Sequence, residues 1–482
     1  MYKIIFNFIF FFTLSLYTNI LLADQKTPLH IPIYNIGTNL DPGKKESSYS
    51  TWVSTQINCQ LIRATGSSPI LEAADSMKYI NPLEISIRLK PGLTFSNNQA
   101  VTAYDVVASY SYLEKHQPYL SNISYWMDKI YATSDKDIII KLHNPISTFI
   151  QIVSINDLPI YQKDFLSKAE KNPQLWDFPV TCGGYKVVKN DVHEIDLAPR
   201  FKGHPIIFEK ISSTPIKSSE YKHFDIIKNY FIGPVEPKKF KKVQVFAPYQ
   251  IYFGLNTRKQ LWKNKAQRCE LLSKLKSDMV LPSYGDYGQR ANDLLPVGTL
   301  GYRNDYQFTD KLHEKYPNTN KKINVNNFCL SFLKTSIPTK YNTAYTNMVK
   351  QAIDTKNFNT REILSVDTYN TFVQSDCDAI VLGFQSVTLA GYDFLVLFDN
   401  NEKNFTGFYD KKLSDILLNS QNTNDNKEKA LQYHHVENIV RDECVATPIV
   451  TVPMETFFIK SSLNAPNIGK SILEEYYLGD IN

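Results

Sequence analysis

Histidines, carboxylates and cysteines are the residues of this chain best suited to chemistry, and their spacing argues against catalysis. His434 and His435 are adjacent within the helix-like run Lys427 to Arg441. Their side chains therefore diverge and do not make the i, i+4 pair that grips a metal. Glu437 and Glu443 complete no hydrolase spacing. No GxSxG elbow, Walker loop or dinucleotide fingerprint occurs. The chain is expected to be a non-enzyme that carries no cofactor. Six cysteines, Cys59, Cys182, Cys269, Cys329, Cys377 and Cys444, include no close CxxC pair, so a zinc site has no support from them. An even number permits disulfides in an oxidising compartment, with buried free thiols as the other reading; the spacings do not choose a pairing.

Charge excludes another class of function. The formal net charge is only +5 over 482 residues, too small a surplus for a dedicated nucleic-acid binder. The densest basic stretch, Lys238-Lys239-Phe240-Lys241-Lys242, follows Gly233-Pro234 and Glu236-Pro237 and reads as a solvated loop. Aromatic residues make up 13% of the chain. They give large contact area for little rotamer entropy, which suits a broad recognition cleft, although most are expected in the core.

Such residues need elements to position them. Lys3 precedes an apolar run from Ile4 to Ala23 that gives way to Asp24-Gln25-Lys26, the pattern of a secretory signal cut after Ala23. No Cys stands at that cut, so a soluble periplasmic protein is expected rather than a lipid-anchored one. From Asp24 onward the chain is long enough for about three domain-sized units. Strand-like runs such as Glu84 to Leu89 and Asp137 to Leu142 alternate with helical stretches such as Ala103 to Glu114, which predicts a mixed α/β architecture. Strict apolar/polar alternation from Leu83 to Leu89 predicts a strand buried on one face. Lys90-Pro91-Gly92 turns the chain, and Thr102 is placed to cap the next helix, with Asp105 at capping-box spacing.

The segments Leu89-Lys90-Pro91-Gly92-Leu93-Thr94-Phe95-Ser96 and Val101-Thr102-Ala103-Tyr104-Asp105-Val106-Val107-Ala108-Ser109-Tyr110 together resemble the signature of the peptide/nickel class of extracellular solute-binding proteins, family 5. Further matches follow in order: Asn39-Leu40-Asp41-Pro42, Pro179 to Val187, Tyr252-Phe253-Gly254-Leu255-Asn256-Thr257, Leu295 to Tyr302, and Asn404 to Phe408. The resemblance implies a type II periplasmic-binding-protein fold: two α/β lobes joined by a two-segment hinge, closing around ligand. The expected plan is a signal at 1–23, a first lobe at 24–254 with an inserted subdomain near 45–155, a second lobe at 255–454, and a return to the first lobe at 455–482. Disulfides are expected within lobes, because a bridge between them would obstruct closure. The expected partners are a small ligand, foremost an oligopeptide or dipeptide, and the membrane permease subunits of an ABC importer, with the receptor itself a monomer.

Site residues carried over from the resemblance are Ile36 and Gly37 at an early strand end, Trp126, Tyr252, Asn256, Gly383, Phe384, Gln385 and Asp393. Peptide receptors of the family pair the ligand's amino terminus with an Asp, because a buried ammonium needs a counter-charge. A gapless alignment through Gly383-Phe384-Gln385-Ser386 puts Val387 at that place. Asp393 is then either a substitute amine partner or the cap of a helix starting at Phe394. Asn256 either bonds a ligand carbonyl or fixes hinge backbone. Phe384, Tyr252 and Trp126 each wall the cleft or belong to the core. Loss of the Asp leaves open a non-peptide ligand (a nickel chelate, haem or a sugar derivative) and a receptor-shaped chaperone or adhesin.

Overall fold

The computed structural model describes residues 26–478 apart from 35–37, 45–47, 64–69, 117–125, 146–148, 150–152, 154–157, 212–214, 229–230, 233–236, 317–320, 334–336, 338, 364–375, 386–390, 401–403, 424 and 465–477. The expected signal, Ile36, Gly37 and Val387 lie outside the described residues. No helix among the described residues is long and apolar enough to cross a membrane.

The alternation read at Glu84–Leu89 has its consequence in space: Ile85, Ile87 and Leu89 are buried while Arg88 is exposed. Its neighbour Asp137–Leu142 buries Ile138, Ile140 and Leu142 in the same way. Each such burial contributes about 1.5–3 kcal/mol. These two strands are the centre of an antiparallel four-stranded sheet, ordered Ala74–Asn81, Glu84–Leu89, Asp137–Leu142, Met127–Ala132. The helix Ala103–His116 covers it with Val106, Tyr110 and Leu113. Its start carries the Asp105 half of the expected capping box, while the Thr102 hydroxyl donates instead of accepting. Asp105 accepts from the Thr102 N–H at 2.8 Å and from the Thr102 hydroxyl at 2.7 Å. The carboxylate, not the hydroxyl, does the capping, since it can take both donors together.

A second four-stranded sheet, ordered Leu29–Tyr34, Ile206–Ile211, Glu194–Pro199, Tyr185–Asn190, builds the rest of the first lobe's core with Trp52, Phe231, Phe457 and Phe458. The largest sheet runs Ile226–Lys228, Ala446–Lys460, Phe240–Leu255, Ala379–Gln385, Asn327–Leu333, Asn357–Ile363. Its two long strands, Phe240–Leu255 and Ala446–Lys460, are antiparallel partners that pass from one core to the other. Val245 and Phe457 pack in the first-lobe core, whereas Ile251, Phe253 and Val450 pack in the second. Their pairing slips between Phe246 and Tyr249. A bulge bends a strand and frees ladder bonds, so the crossover lies there. Ile251 and Phe253 already pack in the second core.

Three disulfides join the six cysteines: Cys59–Cys182, Cys269–Cys444 and Cys329–Cys377. Cys59 and Cys182 belong to the core of the first-lobe subdomain. The other two bridges tie elements of the second lobe. None spans the crossover.

Candidate ligand-binding site

The candidate site centres on the place where the second-lobe strand Ala379–Gln385 runs beside Phe240–Leu255 just past the bulge. Register pairs Tyr249 with Gln385, Gln250 with Phe384 and Ile251 with Gly383. Gly383 is required by its neighbour: a Cβ there would overlap the Tyr249 side chain and hydroxyl. The missing side chain lets a tyrosine lie flat across the strand end. Gln385 Nε2 donates to the Ala247 carbonyl at 3.1 Å, closing the bulge from the second-lobe side. Phe384 is half-buried and meets Phe394 edge-on at 5.3 Å between ring centroids.

The short helix Gly391–Leu395 completes this wall. Gly391 sits against the Leu300 carbonyl and Tyr433, so any Cβ would collide with the loop formed by the Leu295 to Tyr302 motif. That loop fixes the start of the helix, and the helix presents Tyr392 and Asp393, both half-buried. The helix begins at Gly391, not Phe394, so Asp393 stands inside its first turn rather than at the cap. The first lobe reaches this wall through Trp126. Trp126 packs in the subdomain core, 5% exposed, and its ring meets Tyr392 edge-on at 5.9 Å. Tyr392 packs against both the subdomain core and the second-lobe core. One aromatic pair therefore bridges the lobes.

On the first-lobe side, residues flanking the 35–37 stretch are held firmly. Asn190 Nδ2 donates to the Thr38 carbonyl at 2.6 Å, and Lys210 Nζ donates to Asn190 Oδ1 at 3.1 Å. Burial lowers the Lys210 ammonium to about 8. Before the crossover, in the strand Ile226–Lys228, Lys228 is 3% exposed and donates to Glu455 Oε1 at 2.7 Å, over the rings of Trp52 and Phe457. Glu455 Oε2 is buried and has no hydrogen-bond partner among the described residues.

The fold agrees with that of known proteins. A family model for bacterial extracellular solute-binding proteins, family 5 (middle), matches residues 70–323, more than half of the chain. The chain belongs to this family. Family 5 solute-binding proteins are extracellular or periplasmic binding proteins, not enzymes. Among solved structures, the murein tripeptide binding protein MppA of Escherichia coli is similar at a TM-score of 0.80 and 16% identity, covering 95% of this chain and 98% of that one. The periplasmic binding protein DppA of Helicobacter pylori, in complex with the peptide STSA, is similar at 0.78 and 16%, covering 94% and 97%. MoaA of A. tumefaciens R10, in complex with mannopinic acid, is similar at 0.79 and 15%, covering 95% and 99%. At such identities the likeness establishes the type II binding-protein fold. No curated protein matches the chain in sequence.

Within this family fold, the candidates separate into two groups. Gly383, Phe384, Gln385, Asp393 and Trp126 gather at one wall between the lobes. Tyr252 and Asn256 do not join them. Tyr252 is fully buried among Phe398 and Phe405, and its hydroxyl donates to the Leu294 carbonyl at 2.9 Å. Asn256 is also fully buried; its Nδ2 donates to the Cys377 carbonyl at 3.2 Å and its Oδ1 accepts from the Arg258 N–H at 3.3 Å. Of the two readings open for Asn256, backbone fixing accounts for these bonds. Tyr249, Tyr392 and Glu455 were not among the expected site residues. Tyr249 was legible in principle, because a glycine in a strand signals a close approach by a neighbour.

A buried ionic knot stands behind the wall. Arg303 bonds Asp293 Oδ1 and Oδ2, each at 3.1 Å, and Glu437 Oε2 at 2.7 Å; both carboxyls are fully buried. Two carboxyls share one guanidinium. Burial, and then the charge of Asp293, push the Glu437 carboxyl well above its ordinary range. This knot holds the Leu294–Leu295 backbone, with Leu294 N–H on Asp293 and Leu295 N–H on Glu437, and so anchors the loop on which Gly391 rests. Its role is support rather than catalysis.

Proposed function

We propose that this protein is the periplasmic substrate-binding component of an ABC importer, capturing an oligopeptide or dipeptide by lobe closure. The observation that carries the reading is the aromatic bridge from Trp126 to Tyr392 beside the strand end Gly383–Gln385. It would give the lobes a closing contact next to the end of that strand. Ligand contacts to both lobes stabilise that closed form, and the permease reads it. Backbone pairing to an extended peptide supplies affinity without reading side chains, so specificity would be broad. Delivery to the periplasm would follow cleavage after Ala23, and the receptor would act as a monomer.

A second reading has its own support. Val387 replaces the expected amine-pairing Asp, which favours a ligand without a free amino terminus, such as a nickel chelate, haem or a sugar derivative. Native mass spectrometry of protein purified from its own cells separates the two. A ladder of peptide masses supports the first reading. One fixed non-peptide mass overturns it in favour of the second.

A further inference from the structure

We propose that His30, Glu209 and His223 form a binding site for one divalent transition-metal ion on the outer face of the first lobe, remote from the ligand cleft. Strand register brings two of the three side chains to one face. Leu29–Tyr34 lies parallel to Ile206–Ile211, with His30 opposite Ile207 and Pro32 opposite Glu209. Leu29, Ile31, Ile206 and Phe208 point into the core, so the alternation of both strands turns His30 and Glu209 to the other face. His223 arrives from the single turn Tyr221–His223, which is anchored by buried Tyr221 and Phe224. Three separately anchored elements thus deliver three ligand-type side chains to one point.

Their donor atoms converge. His30 Nδ1 lies 2.7 Å and His223 Nε2 lies 2.6 Å from the same oxygen, Glu209 Oε1, and the three donor atoms lie within 4.8 Å of one another. In the metal-free protein, hydrogen bonds to the carboxylate hold the two imidazoles in place. A metal ion would take the position of those shared protons, after small side-chain rotations to the ~2.0–2.2 Å bonds that zinc makes to nitrogen and oxygen. Two imidazoles and one carboxylate suit zinc, nickel or copper(II) better than magnesium or calcium. Three protein ligands leave at least one position for water. His30 and Glu209 are half-buried and His223 is exposed, so an ion has access from solvent.

The surroundings fix the platform. Asp225 accepts the His30 backbone N–H at 2.8 Å and pairs with Lys460 at 2.8 Å. The adjacent strand Ile226–Lys228 pairs with Phe457–Ile459, at the end of the long strands away from the crossover. At about 3.3 Å per residue, Lys460 is roughly 20 Å along the strand from Met454. The ion would clip the amino-terminal strand to the sheet and to the turn entering the hinge sheet, without entering the cleft.

Equilibrium dialysis of untagged protein against Zn²⁺, with metal counted by elemental analysis, tests the proposal. Cobalt(II) absorption serves as the second readout, since imidazole and carboxylate ligation gives visible d–d bands. Wild type is expected to hold one equivalent that His30→Ala and His223→Gln each weaken by more than about tenfold. Because His223 is exposed, His223→Gln keeps the fold, which circular dichroism verifies. Retention of the same zinc and cobalt signals by both variants would overturn the assignment. Failure of folded wild type to hold any zinc would overturn it equally.

Discussion

Replacing Asn256 with alanine distinguishes a backbone anchor of the second lobe from a ligand contact. The Asn256 amide is fully buried, and truncation strips a partner from the Cys377 carbonyl and from the Arg258 N–H. A buried polar group left unsatisfied costs about 1–3 kcal/mol, so two such losses, partly relieved by relaxation, amount to about 2–4 kcal/mol. The damage is local to the junction where Leu255 leaves its strand, since the Asn256 N–H donates to the Asp378 carbonyl and Asp378 also bonds Trp262 and the Cys329 N–H. Thermal unfolding should fall by several degrees, at about 2–4 °C per kcal/mol for a domain of this size. Affinity for a mixed di- and oligopeptide pool, measured by calorimetry well below the transition, should change by less than about tenfold, or 1.4 kcal/mol. An unchanged transition accompanied by a much larger loss of affinity would place Asn256 in the ligand site instead.

Other outcomes follow from the same geometry. Gly383→Ala should destabilise the protein by about 1–3 kcal/mol through overpacking against Tyr249, and adding Tyr249→Leu should restore part of it; no rescue in thermal melts would contradict the close approach. Trp126→Phe and Tyr392→Leu, combined in a double-mutant cycle on peptide affinity, should show coupling of about 0.5–1.5 kcal/mol; additive effects would mean that the pair does not close the cleft. Glu437 binds its proton more tightly folded than unfolded, so its contribution to stability is complete below the unfolded carboxyl range and is lost as pH rises through its raised folded value. Glu437→Gln, permanently neutral, should flatten the decline of denaturant stability toward alkaline pH. An identical pH profile for the variant would remove Glu437 from that role.

Elements with a strict period were legible before any coordinates. Ile85, Ile87 and Leu89 announce a half-buried strand because period two is a property of the pleat itself. The family signature around Leu89 to Tyr110 added the two-lobed plan. Side-chain roles were harder to read, because they depend on where long-range pairing stops. Tyr252 and Asn256 follow a bulge that sequence does not mark, and that bulge decides on which side of the crossover each residue is buried. Of the two readings open for Asp393, the cap assumed a helix starting at Phe394, whereas the helix has already begun at Gly391, which has a packing reason that only Leu300 reveals. The cysteine pairing was open because sequence spacing carries no information on spatial proximity. The knot brings Glu437 to Asp293 and Arg303 from 134 or more residues away, and no local pattern announces it.

Small-angle scattering on one protein sample, with and without a saturating pool of mixed di- and oligopeptides, tests the central claim of closure on ligand. The radius of gyration should fall with peptide and stay unchanged when peptide is replaced by the same concentration of free glycine. Saturable peptide binding with an unchanged radius of gyration in a sample shown to start ligand-free would contradict closure as the mechanism.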